Sequence, residues 1–296
     1  MVDFVRIFWR DKTRFEHFVC QEENFEDLET LFGYHTSQIK YPYKASFNSM
    51  DVKVTEKYGY VYNSIHKSYN DRHFKDAHNH NDFGYQNLCE MVDFLESKLI
   101  DVDNSALTQF EFGLNIEVPT NAEDIIQRNI LMHKECGPNH TRIFRGRGRL
   151  KQFDHHNYVI KIYDKAKQYN LSTNLLRVEI RFLKAKEFHK LDIFKLKDLK
   201  DKSKLRKLFL LLLSRFNELT IVDEYDEATI PHNDLEKLVR YSNPHYWETT
   251  IAGLSATSKM RHLRAYKRLL VKHNLLKTKS FLKQQLVEKY LQLINF

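Results

Sequence analysis

At 296 residues, 42% hydrophobic and 13% aromatic, the chain can bury the core of one large domain, or of a domain with a smaller appendage, which excludes a disordered polymer. Eight glycines and five prolines exclude a Gly/Ser-rich or Pro-rich linker. The net charge of +8 is segregated: Arg142–Lys151 holds five Lys/Arg and no acid, Arg181–Arg215 twelve against four acids, and Lys259–Lys289 ten against one. Such blocks point to a polyanionic partner, nucleic acid foremost, with plain solvation of helix surfaces as the alternative.

Val2–Phe8 is apolar but interrupted by Asp3 and Arg6, so it reads as a first strand and not as a secretory segment. Asp51–Glu56 and Tyr58–His66 read as further strands. Tyr85–Leu99 predicts an amphipathic helix, with Leu88, Met91, Val92, Leu95 and Leu99 on one face and Asp82 as N-cap. Thr108–Val118 alternates cleanly, setting Phe110, Phe112, Leu114, Ile116 and Val118 against Glu111, Gly113, Asn115 and Glu117. A helix over Asn121–His133, capped by Thr120, should follow.

Next comes a Gly/Arg-rich loop in which Arg145, Arg147 and Arg149 alternate with Gly146 and Gly148. No G-K-[ST] follows, so this is no Walker loop. A cationic hairpin tracking a nucleic-acid backbone suits it, with a solvated hairpin as the alternative. Tyr158–Phe182 then reads as two strands. Lys161, Tyr163 and Lys165 share one face of the first, and Arg177, Glu179 and Arg181 one face of the second. After Ala185 the pattern turns helical at Leu205–Leu219, His232–Tyr241, Ser258–Lys272 and Thr278–Leu293.

The expected fold is α+β: an antiparallel sheet with helices on one face over 1–185, then an all-helical basic region over 186–296. The apolar run Leu208–Leu213 is too short to span a membrane. Cys20, Cys89 and Cys136 lack CxxC spacing, as reduced thiols of a soluble cytoplasmic protein would. No internal repeat is visible.

Three strands thus carry an apolar face and an ionisable face. A solvated sheet surface is the simple account of any one row, but three rows of carboxylates, cations and a tyrosine suit phosphate chemistry. Carboxylates favour Mg²⁺ or Mn²⁺, a tyrosine can act as covalent nucleophile, and a lysine can lower its pKa or neutralise charge at phosphorus. His78-Asn79-His80 has neither zinc-finger spacing nor a nearby cysteine. A polar loop is its plain reading, and His155-His156 reads as surface.

The chain resembles the replication initiation proteins of filamentous phages, the gene II protein type, and related rolling-circle initiators, a divergent branch of the HUH endonucleases. The resemblance is carried by M-V-D-F-V at the start, H-N-D-F-G at His80–Gly84, F-E-F-G-L-N-I-E at Phe110–Glu117, Y-D-K at Tyr163–Lys165 and L-R-V-E-I-R at Leu176–Arg181. Two departures stand out. Asn79 replaces the hydrophobic residue between the histidines, and Gln109-Phe110-Glu111 replaces Arg-hydrophobic-Asp.

The resemblance implies an HUH-like catalytic domain that nicks and rejoins DNA at an origin. Tyr163 would form a 5′-phosphotyrosine link, leaving a free 3′-hydroxyl as primer, and Lys165 would orient or activate it. His80 and Glu111, with Glu179 as third ligand, would hold Mg²⁺ or Mn²⁺; His66 and His78 are the other candidate histidines. Arg177 would contact phosphate of the single-stranded DNA, with Lys161 as a further nucleic-acid contact; Arg145, Arg147 and Arg149 have no counterpart in the family's motifs and are nucleic-acid contacts on the reading of the cationic hairpin alone. Arg261, Arg264, Lys267 and Arg268, on a helix before a turn at Lys277–Ser280, would contact origin duplex. Tyr169 is a candidate second tyrosine. A host replication helicase or polymerase would be a further partner in the bacterial cytoplasm, with no membrane involved. Two readings compete with this one: a non-catalytic DNA-binding replication or regulatory protein, and a metal-dependent hydrolytic nuclease that uses water.

Overall fold

The computed structural model describes residues 1–25, 27–141 and 146–295. Its strands are β1 (Val2–Trp9), β2 (Glu29–Gly33), β3 (Gln38–Phe47), β4 (Met50–Val54), β5 (Gly59–Ser64), β6 (Ala106–Glu117), β7 (Ile130–His133), β8 (Leu150–Asp154), β9 (Tyr158–Asp164), β10 (Leu175–Phe182) and β11 (Leu219–Ile221). Nine of them form one sheet in the order β2-β3-β4-β5-β1-β6-β10-β9-β8. Every neighbouring pair is antiparallel.

One face of the sheet is the apolar face that alternation predicts. Val5, Ile7, Phe110, Phe112, Leu114, Ile116, Ile160, Ile162, Val178 and Ile180 are all buried there. The helices Tyr85–Lys98, Lys202–Asn217 and Lys277–Asn295 share that core through Leu88, Leu95, Leu208, Leu212, Leu286 and Leu293. Phe209 and Tyr290 stack at 4.0 Å where two of these helices meet. Burying such side chains contributes roughly 1.5–3 kcal/mol each relative to exposure. The stretch beyond residue 185 is not all helical, since β11 lies within it and pairs with β7, and it is divided: its first and last long helices belong to the sheet's core. The helices His232–Ser242 and Ala256–Lys272 close over a second core of Leu238, Tyr241, Trp247, Tyr266 and Leu270.

Local departures from the sequence pattern have identifiable causes. Asn121–His133 is not one helix. After a short turn of helix at Ala122–Asp124 and a π turn at Ile125–Asn129, the chain extends as β7 and pairs with β11, which supplies its backbone partners. The Asn121 side chain, not Thr120, caps that turn by accepting from Glu123 N–H at 2.9 Å. Asp82 does not cap Tyr85–Lys98; Gly84 is the capping residue, and Asp82 instead binds Lys289 at 2.9 Å. The turn between the last two helices lies at 273–276, so Lys277–Ser280 begins a helix.

β2, β3 and the helices Lys12–Val19 and Ile65–Phe74 had no reading in the sequence pattern. The second of these helices cuts short the strand expected over Tyr58–His66, because Ser64 accepts from Lys67 N–H at 3.0 Å and caps it. Among the described residues no helix is long and apolar enough to cross a membrane. The three cysteines are free thiols.

Candidate active site on the open face of the sheet

The opposite face of β1, β6, β10 and β9 carries the ionisable rows, and antiparallel register brings them side by side. Arg177 lies between Asn115 and Tyr163, Glu179 between Gly113 and Lys161, and Arg181 opposite Glu111. Glycine is needed at 113, since a Cβ there would stand 2.4 Å from Cβ of Glu179. β1 adds a residue that alternation hides. Val2 pairs with Phe112 and Val5 with Phe110, so Asp3 and Phe4 together oppose Glu111 in a β-bulge. The extra residue lets Asp3 join the ionisable face, although it is in phase with Val5 and Ile7.

Asp3, Glu111 and Glu179 are all buried and offer carboxylate oxygens within 4.8 Å of one another. Lys161 Nζ bridges two of them, at 2.9 Å from Glu111 and 3.0 Å from Glu179. Arg177 donates to Glu179 at 2.6 Å, to Asn115 at 2.9 Å and to Asp3 at 3.2 Å. Arg181 forms an ion pair with Glu111 at 3.4 Å. Burial opposes ionisation of Glu179, but Lys161 and Arg177 outweigh it and hold its pKa down to about 2. Asp3 is likewise buried yet held low by Arg177 and Lys165. At Glu111 burial and the adjacent Glu179 charge prevail over Lys161, and its pKa is raised.

Tyr163 is buried beside this cluster, and its hydroxyl donates to Glu179 Oε2 at 3.4 Å. Burial, then the Glu179 charge, push its pKa well above the usual 10. Lys165 is not on the strand face with Lys161 and Tyr163. Asp164 ends β9 by accepting from Lys167 N–H at 2.8 Å, and Lys165 opens the short helix Lys165–Tyr169. Its ammonium lies 5.5 Å from the Tyr163 ring centroid and 5.0 Å from that of Tyr169. Desolvation, then Arg177, lower its pKa to about 7.

Asn79 explains the departure between the two histidines. Its amide donates to Asp3 at 2.6 Å, and its carbonyl accepts from both Lys165 and Tyr169 at 2.6 Å. A hydrophobic residue could do neither. Asn115 pins the same segment to the sheet by donating to His80 O at 3.1 Å. His80 is outside the carboxylate cluster. Its ring stacks on His78 at 4.1 Å and meets Tyr169 at 5.0 Å, with Nδ1 buried and unbonded. His66 is buried against Phe83 and bonds Asn81 at 2.7 Å, with its pKa lowered to about 3 chiefly by desolvation.

Three oxygen-donor carboxylates suit a hard divalent ion. The position of Lys161 supports the fit, because a cation already bridges two of the three. With Lys161 withdrawn, Asp3, Glu111 and Glu179 against Arg177 and Arg181 leave one net negative charge. The structure thus gathers Glu111 and Glu179 as expected, adds Asp3, and leaves His80 apart. Asp3 did leave a signal in the sequence: an acid in an otherwise apolar first strand.

The site opens into a cavity of about 390 Å³, whose lining includes Asp3, Phe4, Lys67, Lys161, Tyr163 and Arg181. Arg147 and Arg149 are exposed just before β8, and Gly148, at φ +89°, packs against Asp164 and Lys167. Arg147 donates to Asn170 at 2.9 Å, so this loop is tied to the tyrosine-bearing helix. Arg145 lies outside the described residues. Arg261, Arg264, Lys267 and Arg268 are all exposed on Ala256–Lys272. In the basic stretch before them, Lys190, Lys197, Lys200, Lys204 and Lys207 are each taken up by an acid. His155 is not a free surface residue, since it bonds buried His133 at 2.8 Å, whereas His156 is exposed.

No protein-family model matches the chain, and no curated protein matches it. Among solved structures it is similar to the rolling circle replication initiator protein from Geobacillus stearothermophilus, with a TM-score of 0.42 and 11% identity over 78% of this chain and 89% of that one.

Proposed function

We propose that the protein is a DNA-nicking and joining enzyme that initiates rolling-circle replication, with Tyr163 as nucleophile. The observation that carries this reading is the Tyr163 hydroxyl set against Glu179 in a cavity that holds three clustered carboxylates. A bond from Tyr163 Oη to phosphorus forms as the P–O3′ bond breaks. The phosphate passes to the tyrosine as a 5′-phosphotyrosine, and the departing oxygen takes up a proton to become a free 3′-hydroxyl. Attack by a later 3′-hydroxyl on that link restores the phosphodiester and the phenol.

Asp3, Glu111 and Glu179 would hold Mg²⁺ or Mn²⁺, which supplies positive charge to the phosphate oxygens and favours the phenolate. Arg177 keeps Glu179 and Asp3 ionised and fixed. Lys165, with a pKa of about 7, holds a proton it can release near neutrality beside both tyrosine rings. Arg181 and Lys67 line the cavity and would meet the backbone of the entering strand.

The test is covalent capture. Wild-type protein, Mn²⁺ and a labelled pool of random single-stranded oligonucleotides should give a protein–DNA band on a denaturing gel. Tyr163→Phe should give none, and Glu179→Gln should lose at least a hundredfold. A band that persists in Tyr163→Phe but vanishes in Tyr169→Phe moves the nucleophile to the helix. Cleavage with no adduct supports a water-using nuclease, and binding with neither supports a non-catalytic DNA-binding protein.

A further inference from the structure

Beyond the cavity, the open face changes character. Phe4, which lines the cavity, begins a row of rings that runs onto β5. The centroids of Phe4 and Tyr62 are 6.4 Å apart, Tyr62 and Tyr60 5.4 Å, Tyr60 and Tyr58 6.0 Å, and Tyr58 and Phe8 5.8 Å. Period two puts Tyr58, Tyr60 and Tyr62 on one side, and register sets Tyr62 beside Arg6 and Tyr60 beside Phe8. All five rings are partly exposed. Half-covered rings in a continuous row add little to the core, so their placement calls for another reason.

Cations border the row. Arg181 lies 5.4 Å from the Phe4 centroid. Lys53 pairs across from Tyr60, and Lys44 across from Lys53. Among the described residues no carboxylate forms an ion pair with Arg6, Lys44 or Lys53. Of the acids within these rows, Glu29 stands across from Lys44, and Asp51 is held by Asn63 at 3.0 Å. Arg6, Phe8, Tyr58, Tyr60 and Thr108 enclose a shallow groove of about 320 Å³.

We infer that this row is a stacking track for single-stranded DNA flanking the phosphate in the cavity, the bases lying on the rings and the phosphates beside Arg6, Arg181 and Lys53. The inference rests on the nicking reading for the strand's destination, and the track is continuous with the cavity through Phe4. Unpaired bases offer π-faces to a ring platform, whereas a duplex hides them, so the row selects single strands without reading sequence. A row of half-exposed rings bordered by Arg6, Lys53 and Arg181 complements a polyanion with stacked bases better than it does an apolar protein surface.

The test measures anisotropy of labelled oligo-dT and of a labelled duplex on the full chain, without divalent metal. Tyr60→Ala/Tyr62→Ala should weaken oligo-dT binding at least twentyfold with duplex affinity unchanged, while Tyr60→Phe/Tyr62→Phe stays within threefold of wild type. Circular dichroism confirms that each variant is folded. Unchanged oligo-dT affinity in the folded alanine variant overturns the track, as does a changed oligomeric state without a change in oligo-dT affinity. The two readings fail separately. Tyr163→Phe that binds oligo-dT normally but wild type that forms no adduct removes the nicking reading and leaves the track; adduct formation with an indifferent alanine pair does the reverse.

Discussion

The two halves of the open sheet face are built on opposite terms. Over β6, β10 and β9 the side chains are buried and charged, and each carboxylate is matched by a cation: Glu179 by Lys161 and Arg177, Asp3 by Arg177, Glu111 by Lys161 and Arg181. Over β4, β5 and the second half of β1 the rings are half-exposed, and among the described residues Arg6 and Lys53 form no ion pair. One half holds its geometry by mutual neutralisation, which is costly to break. The other keeps charge and π-surface free for a partner and can be altered cheaply. Placement of reacting atoms needs the first kind of surface, and sequence-tolerant grip on a strand needs the second.

The largest effect should come from breaking the charged half. Arg177→Met strands two buried carboxylates and should cost about 3–5 kcal/mol in urea unfolding, whereas Tyr60→Ala should cost under about 1 kcal/mol. Equal costs would remove the contrast.

A next test concerns the cation within the cluster. Lys161→Met should tighten Mn²⁺ binding about tenfold by calorimetry, a gain of roughly 1.4 kcal/mol, because the ammonium no longer competes for Glu111 and Glu179. Weaker Mn²⁺ binding in that variant would mean Lys161 orders the ligands and does not occupy their place. Chelation by EDTA should abolish the adduct and leave oligo-dT affinity on the aromatic half within twofold.

Acid tests the rest of the fold. His66 and His133 have folded pKa values of about 3, from desolvation first, against 6.5 when exposed. Between those values the unfolded chain binds more protons, so stability falls as pH drops from 6.5 towards 3. At pH 5 each should withdraw about 2 kcal/mol relative to neutrality. The loss from pH 7 to 5 in urea midpoints should therefore be smaller in His133→Gln than in wild type. His133 lies away from the carboxylate cluster and the aromatic row, so His133→Gln should leave oligo-dT affinity unaltered.

Much of the sheet was legible because alternation in β6, β9 and β10 is unbroken, and the three ionisable rows do meet. Glu111, Glu179 and Tyr163 came together for that reason. What escaped depends on contacts distant in sequence. Asn79 acts through Asp3, Lys165 and Tyr169, three partners that no local pattern names. Lys165 kept the phase of a strand on paper, but Asp164 caps a helix there. β7 carries helix-compatible residues and is made a strand by β11, more than eighty positions on. Tyr58, Tyr60 and Tyr62 fall within the strand read over Tyr58–His66, yet their exposure on the face continuous with the cavity follows from pairing with β1 and β4.

The bulge in β1 shifts the strand's phase by one, much as an inserted base shifts a reading frame. Downstream of it Val5, Ile7 and Trp9 face the core, and at it an acid in phase with them escapes to the other side. The charge of the site is therefore set by residue count as well as by residue type. Plain alternation with Phe4 retained would keep every ionisable group in the protein yet send Asp3 into the apolar layer with Val5 and Ile7, whereas deleting Phe4 would remove the bulge and keep Asp3 opposite Glu111 on the open face.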